Sequence, residues 1–455
     1  MKKITCKQAL TSSGWLNNVA VSINDSGKIA EIKSNESLSS FDVDVLLPAQ
    51  SNLHSHSFQR AMSGLTEMRG ENANDSFWTW RKLMYDFLDK ITPDQIETIA
   101  SFVFMEMLEA GYSAVAEFHY IHHAMQAKQY DNIAELSDRI IAGAQRAGIG
   151  LTLLPVLYQY GGCDLRPLLG GQLRFHNDQD SFAKLHAAAT KSIASAHSDY
   201  HIGVAPHSLR AASEDDLRFI TELGKAGPIH MHLAEQIPEV KEVLEFKGAR
   251  PTEWLLDNHN VDERWCLIHV TQMNADETKR LAQSKAIAGL CPITESNLGD
   301  GIFNGVDYLA DQGRFGLGSD SNVHIALFDE LKTLDYSQRL RDNSRAALAT
   351  KEQSTGRVIF ETSAKGGAQA GGRKSGTIAV GQLADLIGIE TDNAWICNRK
   401  DDFVLDSLIF GGHGQRCITD VWSAGRHMVK DSCHHERDAI SRDYQNVCET
   451  LGYQI

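Results

Sequence analysis

The chain of 455 residues is long enough for one large domain and a smaller one, and its 42% hydrophobic content is ordinary for a globular protein. A net charge of −15, without a prominent run of Lys and Arg, argues against nucleic-acid binding, which needs a basic surface. We expect no secretory signal, because no apolar stretch follows the basic start Met1-Lys2-Lys3, and no membrane span, because no run approaches ~20 apolar residues. The eight cysteines are scattered without a Cys-x-x-Cys pair, which favours a reduced, cytoplasmic protein.

The first 45 residues predict β structure. Apolar residues alternate over 19–24 and again over 28–33, and the turn-forming segment Asp25-Ser26-Gly27 lies between these runs. Two alternating runs around such a turn are typical of a β-hairpin.

From about residue 46 the pattern changes to short apolar runs that alternate with amphipathic helical stretches. A (β/α)8 TIM barrel requires eight buried parallel strands separated by helices. We identify eight such runs, at 46–56, 113–120, 151–158, 201–208, 228–235, 265–271, 286–294 and 314–321. The sequence therefore predicts a barrel over residues 46–365, in the α/β class.

β character returns after about residue 365. The glycine-rich stretch 366–372 predicts a flexible loop, and three strand-like runs follow it, at 377–380, 384–389 and 420–425. We expect residues 1–45 and 366–455 to form together a small β-sandwich domain beside the barrel.

The triplet His54-Ser55-His56 ends the first barrel strand. Residues two apart on a strand face the same way, so both imidazoles can bind one metal ion. Because the carboxyl ends of barrel strands meet at one mouth, His232 after strand five and Asp320 after strand eight should join them. Three imidazoles and a carboxylate suit zinc or a similar divalent ion. Each residue alone has an ordinary structural explanation, so the prediction depends on all four together.

Two further residues at this mouth are candidates for acid-base chemistry. Glu235 lies three residues beyond His232 and is well placed to shuttle protons, while His269 ends strand six. A bound divalent cation lowers the pKa of a coordinated water towards ~7. We expect Glu235 and Asp320 to take up a proton from that water, and His269 to orient it or to stabilise developing negative charge.

These motifs resemble the amidohydrolase superfamily, in its deaminase branch with one metal ion. The resemblance covers nearly the whole chain and includes the small β domain. More specific segments, at 52–61, 75–85, 117–120 and 205–210, are similar to those of the formimidoylglutamate deiminases. One departure is Pro48-Ala49, where that family often has Pro-Gly. The predicted fourth strand has no Lys of the kind that bridges two metals in dinuclear relatives, so we expect a single ion.

The resemblance implies hydrolysis of N-formimino-L-glutamate to N-formyl-L-glutamate and ammonia, in histidine degradation, by a homodimer. It also implies the residues that contact this small anionic substrate, namely Gln59, Arg81, Tyr120, His207 and Arg210. Two arginines are consistent with a dicarboxylate, since guanidinium groups bind carboxylates through paired hydrogen bonds.

Two alternatives remain open at this point. A related deaminase could act on a purine or another heterocycle, although the two arginines favour an anionic substrate over an uncharged base. The chain could also be a non-catalytic barrel that serves as a scaffold, which the intact set of candidate ligands and acid-base residues disfavours.

Overall fold

A computed structural model of the protein describes residues 2–37, 39–65, 67, 84–85 and 87–452. The strands, numbered in chain order, are β1 Lys2–Thr11, β2 Gly14–Ile23, β3 Ile29–Lys33, β4 Val43–Pro48, β5 Gln50–Ser55, β6 Tyr112–His119, β7 Gly150–Leu157, β8 His201–Ile202, β9 Ala205–Pro206, β10 Ile229–Leu233, β11 Trp265–His269, β12 Ile287–Leu290, β13 Arg314–Leu317, β14 Leu386–Ile389, β15 Ile418–Ser423, β16 Arg426–Lys430 and β17 Cys433–His434. The α-helices are α1 Pro93–Glu109, α2 Glu135–Ala147, α3 Gln179–Ala194, α4 Glu214–Leu223, α5 Ile237–Lys247, α6 Pro251–Asn258, α7 Ala275–Ser284, α8 Pro292–Leu298, α9 Gly305–Ala310, α10 Leu327–Asp342, α11 Thr355–Ala370, α12 Asp402–Phe410 and α13 Arg437–Leu451. Short 3-10 helices span Ser57–Met62, Met125–Ala127, Gly170–Arg174 and Gly414–Cys417.

Two parallel sheets occupy the middle of the chain. One contains β5, β6, β7 and β8, with β9 also paired to β7, and the other runs from β10 to β13. Parallel bridges join Ser55 to Asp320 and Val204 to Ile229, so each sheet contacts the other at both ends. Every residue of β5, β6 and β7 is buried, as expected for parallel strands covered on both faces. The predicted α/β class is confirmed, and each of the eight predicted runs contains a strand of these sheets.

Two of the predicted runs divide differently from the expectation. Residues 46–56 form the end of β4 and, after Ala49, the separate strand β5. Only the four residues of β12 form a strand within the run 286–294, because Pro292 begins helix α8. Proline fits the first turn of a helix, where no backbone N–H is needed for the helical hydrogen-bond pattern. These differences place Thr294 and Glu295 on a helix.

Segments from both termini form one mixed sheet of eight strands. Its order is β17-β16-β15-β14-β4-β1-β2-β3, and the predicted hairpin is the antiparallel pair of β2 and β3. Strand β4 pairs with β1 and with β14, so it joins the N-terminal and C-terminal segments. Alternate residues of β2, such as Val19, Val21 and Ile23, are buried in a small hydrophobic core that belongs to this terminal sheet.

The stretch 366–372 was predicted to be a flexible loop, and this prediction was wrong for most of it. Helix α11 continues to Ala370 and packs against β13 and β5. A Cβ on Gly366 would collide with the carbonyl of Phe315, and one on Gly367 would press on the carbonyl of Ser51. These glycines therefore allow close packing of the helix on the strands, an outcome that composition alone does not indicate.

No helix in the described ranges is long and apolar enough to cross a membrane. All eight cysteines lie at described positions, and each is a free thiol.

A buried ionic network joins the terminal sheet to the parallel sheets. Arg373 Nη2 lies 3.0 Å from Asp199 Oδ2, and its Nε lies 2.6 Å from Asp385 Oδ2. Arg426 Nη1 approaches the other oxygen of Asp199 at 2.7 Å. Burial alone would raise the pKa of Asp199, but the two guanidinium groups outweigh it and lower that pKa to about 2. The folded state therefore favours the charged form of this carboxylate.

We expect Asp199→Asn to lower the free energy of unfolding by about 2 kcal/mol at pH 7, because the folded pKa of Asp199 is below its unfolded value of about 3.9. A lowered folded pKa stabilises the protein above the unfolded pKa, and this advantage is lost as pH falls towards about 2. Urea unfolding at pH 7, 5 and 3 measures the difference between wild type and variant. Asp164→Asn, at an exposed pair with Arg166, is the control and should change stability by less than about 1 kcal/mol. Equal stability of wild type and Asp199→Asn at pH 7 would contradict the prediction.

Candidate metal centre and active site

Backbone pairing between β5 and the segment after β13 brings three of the predicted ligands together. The amide of Asp320 donates to the carbonyl of His54, and the amide of His56 donates to the carbonyl of Asp320, each at 2.9 Å. Asp320 adopts a left-handed backbone conformation, with φ of 47°. Such conformations are uncommon outside glycine and cluster at functional sites.

The predicted ligand atoms lie close together. Nε2 of His54 and Nε2 of His56 are each 3.3 Å from Oδ1 of Asp320. With a nitrogen of His232, these donor atoms all lie within 4.8 Å of one another, and all four residues are buried. The structure therefore brings residues 54, 56, 232 and 320 together at one location, where the sequence placed them.

The four donors fit a divalent metal ion. Ligand atoms at about 2.0–2.1 Å from a tetrahedral zinc ion lie about 3.3–3.4 Å apart, which is close to the two measured His–Asp separations. Neither ring nitrogen of the buried His54 has a hydrogen-bond partner among the described residues. Burial lowers the pKa of His54 and of His232 well below the usual value, and neighbouring imidazoles lower both further. These neutral rings keep lone pairs that a metal ion can accept.

The other ring nitrogens of two ligands are held by the backbone. Nδ1 of His56 lies 3.1 Å from the carbonyl of Phe118, and Nδ1 of His232 lies 3.3 Å from the carbonyl of His207. A carbonyl only accepts, so each Nδ1 donates and each Nε2 is left free to bind metal. This arrangement is common among histidine ligands.

Glu235 and His269 lie beside the four donors, as predicted. Nε2 of His269 is 3.8 Å from Oε1 of Glu235 and 3.9 Å from Oδ2 of Asp320. Burial raises the pKa of Glu235 to about 7. Burial acts to lower the pKa of His269, but Glu235, Glu295 and Asp320 outweigh it and raise that pKa well above its usual value. A carboxyl that titrates near neutrality beside a cationic imidazole can both accept and donate a proton.

The turn that holds Glu235 is also unusual. Ala234 has φ of 50° and His269 has φ of 71°, both in the left-handed region. Glu239 holds the turn at Ala234 in place, because its carboxylate accepts hydrogen bonds from the amides of Ala234 and Glu235 at 3.2 and 2.9 Å. The sequence analysis missed this role of Glu239, although an acidic residue four positions after Glu235 could have indicated it.

A cavity opens onto these groups. Of the predicted substrate contacts, four line it, and Nε2 of Gln59 donates to the hydroxyl of Tyr120 at 2.9 Å. The fifth, Arg81, lies outside the described residues. The remaining described lining residues were not predicted and are mostly apolar or aromatic: Met84, Tyr85, Tyr158, Phe175, Leu298 and Ser321.

Arg210 provides positive charge at the cavity wall. Its buried Nε has no hydrogen-bond partner among the described residues. Burial acts to lower its pKa, but the charges of Glu239, Glu235 and neighbouring groups raise the pKa above its usual value. The guanidinium is thus charged and can hydrogen-bond an anion in the cavity.

Two further acids near the site were missed. Oε1 of Glu295 lies 3.2 Å from Nδ1 of His269. Burial raises the pKa of Asp300 to about 8, and its Oδ1 accepts from Gln236 at 2.7 Å. The signal for Glu295 was a carboxylate shortly after β12, which the overlong predicted strand 286–294 hid.

The chain belongs to the amidohydrolase family, whose profile matches residues 45–428. It is 43% identical over 455 residues to the formimidoylglutamate deiminase of Pseudomonas aeruginosa, an alignment that covers 99% of this chain and 100% of that protein. A 5-methylthioadenosine/S-adenosylhomocysteine deaminase of Bacillus cereus is 22% identical over 426 residues, covering 90% of this chain and 88% of that protein.

Solved structures share the fold. An amidohydrolase from Brucella melitensis matches with a TM-score of 0.95 and 43% identity, over 99% of this chain and 100% of that one. An adenosine deaminase from Xanthomonas campestris, solved with bound zinc, matches with a TM-score of 0.82 and 19% identity, over 99% of this chain and 98% of that one. The second likeness bears on the fold alone.

Proposed function

We propose that this protein hydrolyses N-formimino-L-glutamate to N-formyl-L-glutamate and ammonia, in histidine degradation. The observation that carries the proposal is the charged guanidinium of Arg210, whose Nε is buried, in the same cavity as three of the four clustered metal donors, His56, His232 and Asp320. The 43% identity to a formimidoylglutamate deiminase over the full chain supports this substrate over a purine.

We propose that one divalent ion, zinc, is held by His54, His56, His232 and Asp320. The closeness of the donor atoms and the unpartnered nitrogens of His54 support this ligand set. When bound there, a zinc ion would lower the pKa of a coordinated water to about 7 and so make that water a better nucleophile.

The protein's own residues then orient the substrate and move protons. Arg210 and Arg81 hold the carboxylates, and Gln59, Tyr120 and His207 orient the formimino group. Glu235, with Asp320, takes up the proton of the attacking water as oxygen bonds to the formimino carbon. Glu235 then protonates the terminal nitrogen, and the bond from carbon to that nitrogen breaks as ammonia leaves. The hydroxyl proton of the tetrahedral adduct passes to Asp320 while the carbon–oxygen double bond of the formyl group forms. His269 stabilises the charge that develops during attack.

We also propose that the parallel sheets close into one (β/α)8 barrel over residues 46–365. The parallel bridges at Ser55–Asp320 and Val204–Ile229 support closure. Residues 1–45 and 366–455 would form the small β-sandwich domain. Because β4 continues to Pro48 in the terminal sheet and α11 continues to Ala370 against the parallel strands, we put the two limits at Ala49 and Ala370. The free cysteines support a reduced, cytoplasmic location. The family resemblance implies a homodimer, which light scattering in solution would test.

A steady-state assay of ammonia release from N-formimino-L-glutamate, with elemental analysis of the same sample, tests the function and the cofactor together. We expect turnover and about one zinc per chain, and we expect chelation to abolish activity that added zinc restores. Ammonia release from purine derivatives alone would favour the alternative deaminase. Absence of both turnover and bound metal would favour a non-catalytic scaffold.

A further inference from the structure

A buried hydrogen-bonded pair lies behind the candidate active site. Nδ1 of His269 is 3.2 Å from Oε1 of Glu295, and the two residues are 1% and 5% exposed. Because a carboxylate can only accept, the proton of this bond is on Nδ1 of His269. The opposite nitrogen, Nε2, then faces Glu235 and Asp320 at 3.8 and 3.9 Å.

Glu295 is itself held rigidly. Its Oε1 also accepts from the backbone amide of Cys291 at 2.8 Å, at the start of helix α8. His269 and Val270, by contrast, have left-handed backbone conformations with φ of 71° and 45°. Such backbone conformations persist where surrounding contacts hold them, and the hydrogen bond to Glu295 supplies one such contact through the His269 ring.

A second explanation of the same geometry is a metal site. Donor atoms of His269, Cys291 and Glu295 also lie within 4.8 Å of one another. Two facts oppose it: Oε1 of Glu295 already accepts two hydrogen bonds, and burial raises the pKa of the Cys291 thiol well above its usual value, which keeps it uncharged. The hydrogen-bonded pair is the explanation that the contacts favour.

We infer that Glu295 is a positioning residue, which fixes the ring orientation of His269 so that Nε2 faces the reacting groups. The inference rests on the proposed function, because the role of His269 is defined there. Glu295 is not among the described residues that line the cavity and is not one of the four clustered donors, so we expect it to act through His269.

Two substitutions of Glu295 separate charge from hydrogen bonding. Glu295→Leu removes the acceptor, and we expect kcat to fall ~10–100-fold with KM and zinc content unchanged. Glu295→Gln keeps an acceptor oxygen without the charge, so the loss in kcat should be only about fivefold.

Glu330→Gln is the matched control. Glu330 is fully buried, and its Oε2 accepts from the amide of Ile293 at 2.9 Å, so it supports the same helix start without touching His269. Its substitution should leave kcat unchanged. A fall in kcat equal to that of Glu295→Gln would show that disturbing the helix is sufficient and would overturn the inference.

A double-mutant cycle with His269→Asn distinguishes positioning from general structural support. If Glu295 acts only through His269, Glu295→Gln and Glu295→Leu should have no further effect on kcat in the His269→Asn background. Equal losses in both backgrounds, or full kcat in either single variant, would refute the inference. A second zinc in wild type that is lost in Glu295→Leu would show the metal site instead. If wild type does not release ammonia from N-formimino-L-glutamate, the proposed function fails.

If wild type is fully active but the Glu295 variants behave as in the contradicting outcomes above, only the inference about Glu295 fails.

Discussion

Replacement of Glu235 by Gln should leave zinc bound and lower kcat by ~10²–10⁴-fold, the usual range for general acid-base steps. Gln has nearly the same shape but can neither accept the proton of the attacking water nor deliver one to the leaving nitrogen. Burial brings the pKa of Glu235 to about 7, so the native carboxyl exchanges a proton readily near neutral pH. Glu235 is absent from the cluster of four donor atoms, which is why the metal should remain.

The measurement for Glu235→Gln is ammonia release under saturating substrate, with zinc determined in the same preparation. Glu330→Gln makes the same chemical change at another buried carboxyl that does not line the cavity, and it should retain wild-type kcat. Full turnover by Glu235→Gln would refute the proton-transfer role. Loss of zinc from the variant would show that Glu235 supports the metal rather than the proton.

The closeness of the four candidate metal donors could be predicted because their positions depend on simple geometry. Side chains two apart on a strand share a face, which places His54 beside His56. Parallel strands end at one edge, which brings Asp320 and His232 to them from distant parts of the chain. Neither step needs knowledge of side-chain packing.

Other features depend on tertiary contacts that no local pattern reveals. The left-handed backbone of Ala234 is held by the carboxylate of Glu239. The backbone preference of alanine would instead predict a right-handed helical or extended conformation at this position. The stretch 366–372 has the composition of a loop, yet Gly366 and Gly367 serve packing against the parallel strands. Glu295 was hidden because an apolar run through Pro292 can be read as strand, and only the fold shows that a helix begins there.

Replacement of Arg210 by Met should raise KM strongly and reduce kcat/KM by ~10²–10³-fold, because truncating one partner of a buried charged pair costs about 3–4 kcal/mol. Met fills a similar volume without charge, so a substrate carboxylate in the cavity would be left unpaired. Arg210 is not among the four clustered donors, and zinc content should therefore stay at the wild-type level.

The decisive comparison for Arg210→Met is with Arg166→Met. Arg166 is exposed, with 49% of its side chain accessible, and pairs with Asp164 at the surface, so its loss should leave KM unchanged. A substrate analogue that lacks one carboxylate adds a second comparison. If Arg210 holds that carboxylate, wild type should lose affinity for the analogue and Arg210→Met should bind the analogue and the full substrate about equally, as in a double-mutant cycle. Two results would contradict the role of Arg210: an unaltered KM in Arg210→Met, or an equal preference of wild type and Arg210→Met for the full substrate over the analogue. Either result would mean that another cation binds the carboxylate. It would also remove the main physical argument for an anionic substrate at this wall of the cavity.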